Sequence, residues 1–251
     1  MRKTRVIPMV LLDEDKCVKT LKFRSKEYIG DPVNTVRIFS EKCVDEIAIL
    51  DITSRSKNPP NFALLERIVD EAFMPVGYGG RISTFKQAEQ VFNLGVEKVI
   101  LGWHGPDTVG LVKEISEVFG RQAVAVCLDY SESAIARSRL LLKGRLVLPI
   151  AEIKNIVEII CLAGAGEVLL QSVDRDGTLT GLDIPIIEKI SGSLEVQLVV
   201  IGGCNSLDNA RLATLAGANA IAAGSLFVFR VPSRAVLINY PSLDELDQVL
   251  I

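Results

Sequence analysis

Gln171-Ser-Val-Asp-Arg-Asp-Gly-Thr178 is the stretch whose reading decides the fold. It grows out of Glu167-Val-Leu-Leu-Gln171, a mostly apolar run of the length and character of a buried parallel strand. The chain then breaks at once into Asp174-Arg-Asp-Gly177 and continues as Thr178-Leu-Thr-Gly181. Acidic residues and glycines massed beyond the C-terminal end of a strand are what a loop-built active site on an α/β scaffold requires. Taken alone, the same residues are equally an ordinary Asp-Gly turn. The choice rests on what lies to either side.

Outward from this loop, short β-branched runs alternate with longer amphipathic segments from end to end. Strands are expected over 6–11, 46–51, 75–79, 98–102, 123–128, 167–171, 197–201 and 220–223. Helical periodicity fills 32–42, 61–72, 84–94, 108–119, 151–163, 184–190 and 207–216. Repeated strand-then-helix order implies a parallel sheet with right-handed crossovers. Eight such strands in 251 residues predict one (β/α)8 TIM barrel over residues 1–251. A doubly wound open sheet is the alternative, and it lacks its GxGxxG fingerprint after the first strand.

An internal repeat supports the barrel. Pro75-Val-Gly-Tyr-Gly-Gly-Arg-Ile-Ser83 recurs as Gln197-Leu-Val-Val-Ile-Gly-Gly-Cys-Asn-Ser206, half a chain later. Each copy runs through a helix into a second related segment, Leu94-Gly-Val-Glu-Lys-Val-Ile-Leu-Gly102 or Ala216-Gly-Ala-Asn-Ala-Ile-Ala-Ala-Gly224. Two fused half-barrels are the architecture this self-similarity predicts.

Charge and cysteine usage narrow the class. Lys plus Arg total 28 against 31 Asp plus Glu, with no long basic run, which argues against nucleic acid as partner. Five cysteines, Cys17, Cys43, Cys127, Cys161 and Cys204, lack CxxC spacing and suit reduced thiols in the cytoplasm. The basic start followed by 6–12 superficially resembles a signal peptide. Its apolar run is short, contains Pro8 and ends in Asp13-Glu-Asp15, so a first barrel strand fits better. No uncharged stretch reaches the length of a membrane span, and the chain is expected to be soluble.

Two glycine loops after adjacent strands, Gly202-Gly203 and Gly224-Ser225, are expected to turn backbone N–H groups toward an anion. A short helix starting at Ser225 would complete the cup. The counterpart in the first half differs: Arg81 follows Gly79-Gly80, and the next strand ends Gly102-Trp103-His104. Arg81 could bind an anion, whereas Trp103 is expected to fill space that a phosphate would need. His104 reads as a loop residue, having no evident carboxylate partner.

These residues together resemble the cyclase subunit of imidazole glycerol phosphate synthase over nearly the whole chain. The matching stretches are Gly30-Asp-Pro-Val33, Asp51-Ile-Thr53, Gln122-Ala-Val-Ala-Val126 with Asp129, Ser172-Val-Asp-Arg-Asp-Gly-Thr178, Gly202-Gly203 and Phe227-Val-Phe-Arg230. The resemblance implies a TIM barrel, without metal or cofactor, that takes ammonia from a glutaminase through its pore. At the top, ammonia would cleave and cyclise a doubly phosphorylated ribulosyl substrate. It also implies that Asp129 is a catalytic acid/base and that Lys19 lies on a loop closing over substrate. Asp176, Gly177, Gly203, Gly224 and Ser225 would hold the second phosphate, with Gly202 in the same loop.

The chain departs from that pattern in places. Leu11 stands where the family carries its other essential aspartate, and an aliphatic side chain cannot transfer a proton. Asp13 could substitute only if the strand slipped by two residues. Arg81 replaces a glycine, Gly102-Trp103 replace an Asn-Thr pair, and Gln171 and Ile201 replace hydroxyl residues. Arg5, Glu46, Lys98 and Glu167, at the beginnings of four strands, match the family's charged ammonia gate. Read from the residues alone, they are equally a structural salt-bridge layer.

Lys22-Phe23 and Lys26-Glu-Tyr-Ile-Gly-Asp-Pro32 bring the chain nearer to paralogues associated with surface-polysaccharide (O-antigen, lipopolysaccharide) sugar amidation. That resemblance implies delivery of ammonia, with an ATP-dependent sugar amidotransferase, to convert an acetamido group on a nucleotide-linked sugar to an acetamidino group. A histidine-biosynthesis cyclase is the second reading. A non-catalytic adaptor that only binds a glutaminase is the third.

Overall fold

A computed structural model of the chain describes residues 4–53, 59–133, 137–142, 145–149, 152–192, 194–230 and 233–250. It opens with β1 (Arg5–Asp13), β2 (Lys16–Leu21), β3 (Ser25–Gly30), α1 (Pro32–Glu41), β4 (Ile47–Asp51) and α2 (Phe62–Val69). Next come β5 (Val76–Gly79), α3 (Phe85–Asn93), β6 (Lys98–Gly102), α4 (Pro106–Phe119) and β7 (Val124–Ser133). The antiparallel strands β8 (Arg137–Leu142) and β9 (Arg145–Pro149) lead to α5 (Ile153–Ala163), β10 (Glu167–Ser172), α6 (Ile184–Ser191), β11 (Gln197–Ile201) and α7 (Leu207–Leu215). The chain closes with β12 (Ala220–Ala223), α8 (Ser225–Val228), β13 (Phe229–Arg230), β14 (Ala235–Val236) and α9 (Leu243–Val249).

Eight parallel strands pair in the closed order β1-β4-β5-β6-β7-β10-β11-β12, and β12 returns to β1. This is a (β/α)8 TIM barrel. The expected strands over 98–102, 197–201 and 220–223 are observed with those limits. Two others run longer because they gain partners: β1 continues to Asp13 against β2, and β7 continues to Ser133 against β8. The expected helix over 151–163 begins at Ile153, and Ala151 lies outside the described residues.

Helix starts are set locally. Asp31 accepts from the amide of Asn34 ahead of Pro32, and Thr84 and Gln87 form a capping box on α3. Ser206 accepts from the amide of Asn209 at the start of α7.

Strand alternation sorts side chains into two cores. Val6, Val10 and Leu12 of β1 pack outward against the helices, while Ile7, Met9 and Leu11 pack into the barrel. On β7, Val124, Val126 and Leu128 face out and Ala125 and Cys127 face in. The same parity makes Glu167, Leu169 and Gln171 three successive inward positions of β10, and Lys98, Ile100 and Gly102 those of β6. Charged residues thereby form the lowest inward layer, apolar residues the middle, and Asp129 and Gln171 the mouth.

Candidate active site

Asp129 sits at the mouth, in register with Gln171 of the neighbouring strand. The Cys127 thiol donates toward Asp129 Oδ1 and toward Gln171 Oε1, at 3.6 Å each. Burial pushes the Asp129 carboxyl up to about 6; the Cys127 contact opposes the shift and the negative Asp176 adds to it. A carboxyl titrating there can both take and give a proton near neutral pH. Leu11 belongs to the apolar interior with Ile100 and Ala222, 7 % exposed. Asp13, at the end of β1, is held 2.7 Å from Lys26.

The hairpin β2–β3 folds over the mouth. Its pairing with β1 sets Val18 opposite Leu11, which directs Lys19 to the carbonyl oxygen of Met9, to which its ammonium donates. Lys19 is buried, and burial lowers its pKa to about 8 against the attraction of Asp176 and Cys17. Asp176 grips the hairpin. Its carboxylate accepts from Thr20 Oγ1 at 2.6 Å and from the amide of Phe23 at 3.5 Å, and its carbonyl accepts from the amide of Lys22 at 2.9 Å. Burial raises the Asp176 carboxyl, while Thr20, Lys19 and Phe23 oppose that shift.

Gly177, Gly202, Gly203, Gly224 and Ser225 come together as expected, around a cavity of about 30 Å³ that Met9, Lys19 and Asp176 also line. Gly203 has φ +92°, and a Cβ there would stand 2.5 Å from the carbonyl oxygen of Gly181. Gly177 has φ +72°, and its Cβ would strike the carbonyl of Thr20. Glycine is therefore required at both. Ser225 opens α8, so its amide has no acceptor within the helix.

Beside this cup lies a cleft of about 1490 Å³, lined among others by Leu50, Phe23, Arg81, His104 and Asp129. Leu11 and Gln171 border both spaces. Two expectations on this side need correction. Trp103 does not fill the space: it packs outward against the helices and is not part of the cleft wall, which Gly102 and His104 form. Arg81 is already engaged, with its guanidinium 3.3 Å from Asp51 Oδ2, a carboxylate that Tyr78 also approaches at 3.4 Å. Backbone donors are committed as well. Trp103 donates to the Cys127 carbonyl at 3.0 Å, and the His104 amide to Thr108 Oγ1 at 2.8 Å.

At the opposite end, Arg5, Glu46, Lys98 and Glu167 close into a ring. Lys98 reaches Glu46 and Glu167 at 2.8 Å each; Arg5 reaches Glu167 at 2.6 Å and also pairs with Glu46. Each cation bridges both anions, and Gln197 accepts from Arg5 at 2.8 Å. Four large apolar side chains stand exposed at the helix ends that feed this face: Phe73 at 90 %, Val118 at 64 %, Leu162 at 83 % and Leu215 at 72 %.

Sequence reasoning missed the hairpin, the Cys127–Gln171 contact and the Asp51–Arg81 pair. The hairpin was hard to find because its tip is Lys22-Phe23, with φ +53° and +58°, where Asn-Gly or Gly-Gly is the usual signal. The alternating Lys16-Cys-Val-Lys-Thr-Leu21 was the available clue.

A TIM barrel with an acid and a glycine cup at its mouth defines the class of protein, and comparison with known sequences gives the family. The family profile described as "Histidine biosynthesis protein" matches residues 5–231. The chain is 39% identical over 245 residues to "Putative imidazole glycerol phosphate synthase subunit HisF" of Leptospira borgpetersenii, covering 96% of each chain. It is 39% identical over 254 residues to "Putative imidazole glycerol phosphate synthase subunit hisF3" of Vibrio vulnificus, covering 100% of this chain and 97% of the relative. It is 32% identical over 239 residues to "Imidazole glycerol phosphate synthase subunit HisF" of Pyrobaculum aerophilum, covering 94% of each. The chain belongs to the HisF-like family of histidine biosynthesis proteins. Among the described residues, no helix is long and apolar enough to cross a membrane.

Proposed function

We propose that this barrel is the ammonia-receiving subunit of a glutamine-dependent complex, docking a glutaminase at the charged ring and passing ammonia upward for amidation of a nucleotide-linked acetamido sugar. The observation that carries the docking half is the four-member ring, together with Phe73, Val118, Leu162 and Leu215 exposed at or just beyond the C-terminal ends of helices that lead into the strand starts. Apolar side chains of this size at one end of a soluble domain mark a protein interface. The ring is neutral overall, and its cations disfavour entry of ammonium relative to ammonia. Above it, the inward residues Ile7, Ala48, Ala125, Leu169 and Ala220 offer no charge to protonate or hold a passing base.

The chemistry at the mouth supports departure from the parent reaction. Asp129 is poised as acid/base, but Leu11 offers no second proton carrier across from it, and Arg81 is bound to Asp51 rather than left for a phosphate. In this reading the glycine cup holds one phosphate of a phosphorylated ligand, Asp129 and Lys19 are the groups nearest the reacting atoms, and an ATP-dependent sugar amidotransferase completes the reaction.

A histidine-biosynthesis cyclase is the second reading, favoured by Asp129 and the intact cup. Complementation of a histidine auxotroph lacking its cyclase subunit, with the native glutaminase co-expressed, separates the two. Absence of growth is expected, and growth at the wild-type rate would establish the cyclase instead.

A further inference from the structure

We propose that Gln171, Asp129 and Leu11 form a subsite for an N-acetyl group, whose carbonyl oxygen accepts from Gln171 Nε2, whose N–H donates to Asp129 Oδ2 and whose methyl rests on Leu11. The inference rests on the reading of an acetamido acceptor given above and names the residues that would recognise that group.

Gln171 is the last inward residue of β10 and is 6 % exposed. Its Oε1 accepts from the Cys127 thiol at 3.6 Å, while its Nε2 donates to no described residue. The thiol fixes that orientation. Burial pushes Cys127 well above its ordinary value, so the sulfur stays protonated at neutral pH and faces an acceptor rather than a second donor. Both amide protons of Gln171 therefore turn away from Cys127. A buried side-chain amide normally spends its donors. This one is not sealed in: among the described residues, Ser172 Oγ is the fully buried side-chain polar atom that lacks a hydrogen bond. Gln171 borders both the cup and the cleft, so its free donors open onto the space they share.

Asp129 supplies the complementary half. It is paired with Gln171 across β7 and β10, and its Oδ1 lies 3.6 Å from the same sulfur. The two groups thus stand no more than twice that distance apart, and Asp129 Oδ2 accepts from no described donor. An amide placed between them meets a donor with its carbonyl and an acceptor with its N–H, each at the ordinary reach of about 2.9 Å. Leu11, Leu50 and Ile100 line the cleft beside it and suit a methyl. A phosphate does not suit the place, because ionised Asp129 repels it; a hydroxyl would satisfy one partner and leave the other bare. Directly below on the same two strands lie Ala125 and Leu169 of the apolar layer, so a carbonyl carbon held here stands at the upper end of the pore.

The test titrates UDP-N-acetylglucosamine and UDP-glucose, which differ in the acetamido group, into the full chain by calorimetry at pH 7.5, above the Asp129 value of about 6. NMR follows the side-chain amide signals of Gln171. The acetamido ligand is expected to bind about ten- to a hundredfold more tightly, the factor carried by two buried hydrogen bonds, and to shift those signals. Gln171→Met, close in shape but without a donor, should cut the preference at least tenfold or to none; Gln171→Leu serves if the methionine variant does not fold. Equal or absent binding of the two ligands by wild type, or a preference that survives in the variant, overturns the subsite. Amidation by the reconstituted complex in that event leaves the ammonia-receiving role standing, with the acceptor held elsewhere. A preference lost in Gln171→Met without any amidation by the complex leaves the subsite standing and overturns that role.

Discussion

Replacing Lys98 by methionine separates the two roles open to the charged ring. The Lys98 side chain is 12 % exposed and touches Glu46 and Glu167 at 2.8 Å each. Its removal leaves two carboxylates around the Arg5 guanidinium and takes the ring from neutral to one net negative charge. Breaking a buried pair costs about 3–5 kcal/mol when the surviving charge is left bare. Arg5 still bridges both carboxylates, so the lower end, about 3 kcal/mol, applies. At about 2–4 °C per kcal/mol for a chain of this size, Tm falls by roughly 6–12 °C. Methionine keeps the straight stem, so the fold and the apolar docking residues survive. In the reconstituted complex, glutaminase binding is then expected to persist while glutamate formed per acceptor amidated rises well above one, because ammonia escapes to solvent. A lowered Tm with an unchanged ratio would show that the ring is structural and refute the gate.

Other outcomes follow from the same geometry. The barrel alone, given ammonium and the ribulosyl substrate, turns over about 10²–10⁴-fold more slowly than a cyclase holding both acid/base groups; comparable rates in a direct product assay exclude the proposed reading. Leu11→Asp puts a carboxylate among Ile100 and Ala222, so it destabilises by about 2–5 kcal/mol in denaturant unfolding without restoring cyclisation. For Asp129 the folded carboxyl, at about 6, lies above its ordinary 3.8, so stability falls as pH rises between those values. Asp129→Asn removes that loss, and unfolding curves of the two proteins should diverge from pH 4 to pH 7. A crystal grown in phosphate should show the anion at Gly203 and Ser225 and none at Gly102-Trp103, where the amides of Trp103 and His104 already donate. Glu97, exposed next to Lys98, is expected to orient the glutaminase, so Glu97→Lys should slow association more than it speeds dissociation.

The sequence by itself determined the barrel, its strands and the face on which each inward residue would lie. Strand alternation has a period of two, and it holds for Lys98, Ile100 and Gly102 as for Glu167, Leu169 and Gln171 whatever surrounds them. The charged ring was legible for that reason: four charges at four strand starts share one layer. The glycine cup was legible because the repeat places its loops after adjacent strands.

Where the chain leaves a strand that period ends, and only tertiary contacts decide direction. Trp103 stands one residue past β6 and turns outward to the helices, although its position suggested the cleft. Arg81 turned to Asp51, a neighbour that β4–β5 pairing supplies. Lys19 reaches the cup because Asp176 holds Thr20 from 156 residues away and keeps a hairpin with no glycine at its tip folded over the mouth. Side chains on loops have no local rule to fix them; they point where segments distant in sequence offer a charge or a donor, and those segments meet only when the barrel has closed.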